Sequence, residues 1–163
     1  FHTHRADDVM TVLRLAREFN FRPVLQHGSE AWMVADEIAA SGLPVSLIVL
    51  DAPGGKLEAA QIRHENGALM ERAGVPTAIH TDDYVTDSRL LLRSAALAVR
   101  AGMSREAALR SLTLSGAEMM GLADRVGSLD VGKDADLVVL SGDPFSAYTR
   151  VEQTWVEGER LFD

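Results

Sequence analysis

Residues 44–50 read PVSLIVL. The run is apolar with no apolar–polar alternation, the pattern of a strand covered on both faces, as in a parallel sheet flanked by helices. Working outward, the same plan recurs. Upstream, residues 21–26 read as a strand with Pro23 near its start, where a missing N–H is tolerated. Ser29 then stands as a helix N-cap with Glu30 in the first turn, and Ala31, Val34, Ala35 and Ile38 form a helical stripe that Gly42 ends. Before that strand, Val9, Val12, Leu13 and Ala16 share one face of a helix beginning near Ala6. Downstream, DAPGG at 51–55 is a loop by its Pro and Gly content. A helix through Leu69, Met70 and Ala73 follows, with Gly67 a weak point in its middle and His64 on its solvent side. Gly74 ends it and residues 75–80 form the next strand. Leu91, Ala95, Ala98 and Val99 stripe a helix closed by Gly102, and Ser104 caps a short one carrying Ala108 and Leu112.

Near Leu122 the texture changes. Residues 124–134 (DRVGSLDVGKD) are turn-rich, and 136–140, 151–156 and 160–162 read as strands, the last two joined around Gly158. The chain therefore divides into residues 1–122, an α/β unit of βα repeats with a parallel sheet, and residues 123–163, a small antiparallel piece. An eight-stranded βα barrel takes about 250 residues, roughly 31 per unit, so the first part holds about four units. Counting strands, one cut at residue 1 and others near 24, 47 and 78, gives the same number: half of a TIM-type barrel. An open four-stranded parallel sheet is the alternative.

Composition removes several function classes. The 163 residues carry 16 Lys+Arg against 24 Asp+Glu, a net charge of −8, which leaves no basic face for a nucleic-acid backbone. No apolar run approaches the ~20 residues of a bilayer span. The absence of cysteine excludes disulfides, thiolate nucleophiles and thiolate metal sites. The chain opens on Phe1 rather than Met and reads as a fragment. A cytoplasmic location is expected, with a signal sequence before Phe1 left open.

In parallel βα architectures chemistry collects at the C-terminal strand ends. Here those ends carry His2 and His4, then His27, then Asp51, then His80, Thr81, Asp82 and Asp83. Imidazole nitrogen and carboxylate oxygen are good ligands for zinc and similar cations, and Gly28 after His27 permits close approach of backbone and substrate. One histidine at one strand end is ordinarily just a hydrogen-bonded residue. Their recurrence at successive ends favours a metal site.

The motifs HTHR at 2–5, LQHGSEA at 25–31, AGVPTAIHTDD at 73–83 and VGSLDVGKDADLVVLSGDP at 126–144 occur in an order that resembles the amidohydrolase superfamily, nearest its imidazolonepropionase-like and prolidase-like members. The last motif, GSL-x-x-GK-x-ADLVVL, is the most specific. The likeness runs over the whole chain but covers only the second half of the superfamily's pattern. It implies that His2 ends the fifth barrel strand and His27 the sixth as metal ligands, and that Asp82 ends the eighth, touching metal and shuttling the proton. It also implies that residues 123–163 return to a small β-sandwich beside the barrel. The superfamily's first-strand His-x-His pair and fourth-strand bridging ligand have no counterpart here.

By the same resemblance the expected chemistry is hydrolysis of an amide or cyclic-amide C–N bond in a small molecule. A hydroxide activated by a divalent metal, zinc by preference and one or two ions, attacks, with Asp82 as general base and then general acid. Deaminase-like relatives place a glutamate three residues after the fifth-strand histidine. This chain has Arg5 there, so an aminohydrolase is the lesser alternative. For Arg5 two readings stand: its planar fork binds a substrate carboxylate, or it pairs with Asp7 or Asp8 at the helix start. His4, two residues after His2 and on the same side of an extended strand, either contacts substrate, orients a ligand or covers the barrel mouth. It is also the replacement ligand should His2 not serve. His80 is either support for a ligand or loop packing. Asp136 is assigned to the turn entering its strand. A non-catalytic scaffold or fragment that needs the missing N-terminal half is the rival reading, since an open strand edge invites that half, or a second copy, to pair.

Overall fold

A computed structural model of the chain describes residues 1–49 and 56–162. Asp51 and the 51–55 loop lie outside the described residues. The first sheet holds β1 (His2–Thr3), β2 (Leu25–His27), β3 (Val45–Ile48) and β4 (Thr77–His80). They lie side by side in chain order, every neighbouring pair parallel. Between them run α1 (Ala6–Phe19), α2 (Ala35–Ser41, entered through a 3-10 turn at Ala31–Val34) and α3 (Asn66–Ala73). After β4 come α4 (Leu91–Arg100), α5 (Arg105–Ser111) and α6 (Leu114–Met120).

The apolar stripes read from the sequence meet in one core. Val9 and Val12 of α1, Ile38 of α2, Met70 of α3 and Ala95 and Ala98 of α4 pack with Leu25, Val45, Leu47 and Ile79 of the strands. Every residue of β3 is buried, as a continuous apolar run requires when both faces are covered. Along β3 the pleat sends Val45 and Leu47 into this core and Ser46 to the opposite face, where its hydroxyl meets His80.

A second sheet, β5 (Leu137–Leu140), β6 (Val151–Val156) and β7 (Glu159–Phe162), is antiparallel throughout. Glu157 (φ 50°) and Gly158 (φ 78°) carry the chain from β6 to β7 in left-handed conformations, the geometry of a tight hairpin turn. The Asp136 carboxylate accepts the Glu157 N–H at 2.9 Å, so the residue expected to fix the turn entering its own strand braces this hairpin. Arg105 of α5 pairs with Asp143 at 2.6 Å, and Phe145 packs on the main core.

Some local readings are corrected. The strand expected over 21–26 is the shorter Leu25–His27; Pro23 has no N–H to give a ladder. Ser29 does not cap a helix, because its hydroxyl is taken by His4. Gly67 falls in the first turn of α3 rather than its middle, and His64 lies in the exposed turn before it. The short helix capped by Ser104 is α5, with the Ser104 hydroxyl accepting the Ala107 N–H; it stops at Ser111, short of Leu112, and α6 follows as a helix not read from the sequence.

Gly28, beside the cluster of histidines, is a position where a side chain is poorly tolerated. Its φ is +54°, and a Cβ there would sit 2.9 Å from Val45 Cγ1 and 3.1 Å from Leu47 Cδ2. Gly28→Ala is therefore expected to lower stability by roughly 1–3 kcal/mol, read from the denaturant midpoint. A midpoint equal to that of the parent would contradict the packing described.

Candidate metal centre

The ends of β1 and β2 bring three imidazoles together. His2 and His4 flank Thr3, so the pleat points both rings to one side, with centroids 4.7 Å apart. His27 reaches the same place by another route. Its register partners are Thr3 and Leu47, and Leu47 points into the apolar core. His27 nonetheless lies 4.5 Å from the His2 ring and 4.7 Å from the His4 ring, on which it stacks. A left-handed backbone, φ 71°, accounts for the turn of the ring toward the rim. This conformation is uncommon for a side chain with Cβ and persists only where the surroundings enforce it. One ligand atom from each of His2, His4 and His27 lies within 4.8 Å of the other two. Asp82, also left-handed at φ 52°, brings Oδ2 to 3.8 Å from His27 Nδ1.

The cluster is braced from behind. His4, almost wholly buried, bonds through Nδ1 to Ser29 Oγ at 2.7 Å. The His27–Ser29 turn is tied to β1 by Gly28 N–H to Thr3 O (2.8 Å) and Glu30 N–H to His4 O (2.8 Å). Asn66, at the start of α3, donates to Gly28 O at 2.7 Å, and the Glu30 carboxylate accepts the Ala6 N–H that opens α1. His80 sits behind His27, Nε2 to Nδ1 at 3.1 Å, and in turn meets Ser46 Oγ at 2.7 Å. Above the cluster Glu58 approaches His2 Nε2 at 3.3 Å and His4 Nε2 at 3.8 Å.

Electrostatics favour neutral rings. Burial first, then the neighbouring His80, pushes the His27 pKa down to about 4. Burial likewise lowers His4, helped by His2, and lowers His80. Glu58 is held below the usual carboxylate range chiefly by its hydrogen bond to His2. Rings denied a proton keep a lone pair, and His4 and His27, converging with His2 beside a carboxylate, fit a divalent cation of the zinc class. The donor set thus suits the metal that the sequence motifs imply.

A pH prediction follows for the metal-free chain. Unfolded His27 titrates near 6.5 and folded His27 near 4, so between those values the unfolded chain holds more protons and stability rises with pH. Acidification from pH 6.5 to 4 is expected to remove stability on the order of 3 kcal/mol, seen as a falling Tm. A Tm flat across that window would contradict burial of the neutral ring.

Of the residues expected to share an ion, His2 and His27 meet, with His4 as the third member of their cluster, and Asp82 lies beside His27 at 3.8 Å. Arg5 is not part of it: its fork lies on Asp7, Nε to Oδ1 at 2.9 Å and Nη2 to Oδ2 at 3.1 Å, exposed at the mouth of α1. Tyr84 is exposed and Asp83 accepts the Ser88 N–H. Sequence reasoning missed Glu58, Ser29, Asn66 and Ser46. Only Ser46 carried a signal, as the polar residue inside PVSLIVL. Among the described residues no helix is long and apolar enough to cross a membrane.

With this geometry in hand, the sequence pattern of the amidohydrolase family matches residues 3–162. The amidohydrolase tasK of Hapsidospora irregularis is 27% identical over 167 residues, covering 99% of this chain and 17% of its own. The imidazolonepropionase of Bacteroides fragilis is 28% identical over 149 residues, 85% of this chain and 33% of its own. The solved structure of an amidohydrolase from Thermotoga maritima MSB8 superposes with a TM-score of 0.94 at 39% identity, over 99% of this chain and 42% of that one. The chain spans less than half the length of each of these relatives.

Proposed function

Because the chain belongs to the amidohydrolase family, we propose that it is the second half of a metal-dependent hydrolase of C–N bonds. In this reading residues 1–122 supply strands five to eight of a (β/α)8 barrel and 123–163 the closing strands of a small β-sandwich. The strictly sequential parallel order of β1 to β4 supports the barrel over a doubly wound sheet, whose order reverses. The partner is an N-terminal half of the same protein, which would pair with the open sheet edges and bring the remaining ligands. The observation that carries the proposal is the convergence of His2, His4 and His27 within 4.8 Å beside Asp82.

His2 and His27 would hold the cation with Asp82, while His4, anchored by Ser29, walls the site and offers Nε2 to it. A zinc-class ion bound there would acidify water and polarise an amide carbonyl. Asp82, about two-fifths exposed, is open to solvent on one side and faces His27 on the other. It takes the proton from the attacking water and returns it to the departing nitrogen, as general base and then acid. Substrates of the class are small amides or cyclic amides. An acidic one would have to compete with Asp7 for Arg5.

The test co-expresses this chain with its N-terminal half and measures metal content and hydrolysis of N-acyl, dipeptide and cyclic-imide substrates. Stoichiometric zinc with turnover of a C–N substrate is the expected result, and absent activity from this chain alone. A two-half species that stays metal-free in zinc-replete medium would overturn the proposal and leave a non-catalytic scaffold.

A further inference from the structure

We propose that Ser46 and His80 are positioning residues that set the tautomer of His27, so that its Nε2 is the atom offered to the metal. The inference rests on the metal-centre reading above and deepens it. It starts from two contacts: His27 Nδ1 to His80 Nε2 at 3.1 Å, and His80 Nδ1 to Ser46 Oγ at 2.7 Å.

Each contact between neutral rings needs one N–H and one lone pair, so the chain of three residues has two polarities. In the first, Ser46 O–H donates to His80 Nδ1 and His80 Nε2–H donates to His27 Nδ1. His27 then carries its own proton on Nε2 and has no lone pair left for a cation. In the second, His27 Nδ1–H donates to His80 Nε2 and His80 Nδ1–H donates to Ser46 Oγ. This leaves His27 Nε2 bare on the side away from His80. Only the second is compatible with ligation, and it requires Ser46 to accept.

The placement has a further consequence. Asp82 Oδ2 lies 3.8 Å from His27 Nδ1, beyond hydrogen-bond reach. With His80 Nε2 accepting the hydrogen bond from His27 Nδ1–H, the carboxylate need not orient the ring and stays free for proton transfer. Ser46 can reach His80 because it lies on the face of β3 turned away from the apolar core, level with Ala78 and one pleat from His80 across the β3–β4 ladder.

The test uses the protein with histidine labelled by 15N, metal-free and above neutral pH, where ring shifts distinguish the tautomers. In the parent, His27 is expected as the Nδ1–H form. His80→Phe is expected to return it toward the Nε2–H form that free imidazole side chains favour, and to weaken zinc about 10–100-fold in chelator competition. His80→Gln, whose amide oxygen still accepts, is expected to restore the Nδ1–H form and most of the affinity. If His80→Phe does not fold, Ser46→Ala decides by a mixed tautomer population at His27. An Nε2–H His27 in the parent, or a tautomer indifferent to both substitutions, overturns the proposal. Nδ1–H His27 in a species joined to its N-terminal half that still binds no zinc would leave the relay standing and sink the metal reading instead.

Discussion

His27→Asn is expected to lower zinc affinity by about 10²–10³-fold, the share of one ligand in a structural zinc site worth about 10–16 kcal/mol. Asparagine is the informative replacement because it accepts the left-handed backbone that His27 adopts at φ 71°. Alanine would confound ligand loss with backbone strain. His27 also touches the rings of His2, His4 and His80, so its removal leaves the other imidazoles without their common neighbour. Metal content after dialysis and competition with a chelator give the readout. Stoichiometric zinc in the asparagine variant at parental affinity would remove His27 from the ligand set.

The second large effect belongs to Asp82. Asp82→Asn is expected to reduce kcat by about 10²–10⁴, the usual worth of a positioned proton carrier, while costing zinc affinity less than His27→Asn does. Asparagine again tolerates the backbone, φ 52° here. Because the departing amine needs a proton, substrates with weakly basic leaving groups are expected to recover part of the loss. An equal loss across leaving groups of different basicity would assign Asp82 to holding structure or metal and not to moving a proton. The two variants therefore separate binding from proton transfer at neighbouring side chains.

Much of this was legible in the chain because the signals are local. PVSLIVL specifies a doubly covered strand, and Val9, Val12 and Ile38 specify helix faces, through side-chain period alone. The strand ends could be located from those runs, and with them His2, His27 and Asp82. Gly28 after His27 reads in the sequence as room for a substrate, whereas the neighbours that crowd it in the structure are the core side chains Val45 and Leu47. Errors gathered where tertiary contact overrides local preference. Ser29 has the chemistry of an N-cap, but a buried imidazole 25 positions away competes for the same oxygen and holds it.

The sequence by itself determined the class of the fold, the succession of its elements along the chain and the residue types at the strand ends, because period, turn residues and ligand chemistry are properties of short stretches. Tertiary structure alone decided which of those residues meet. Pleat parity would send His27 toward the core with Leu47; its left-handed φ accounts for the ring's place against His2 and His4. Glu58 reaches His2 across 56 positions, and Ser46 and His80 come together across the β3–β4 ladder. Such meetings depend on strand register and on a single backbone dihedral, quantities that long-range pairing fixes and no local pattern encodes.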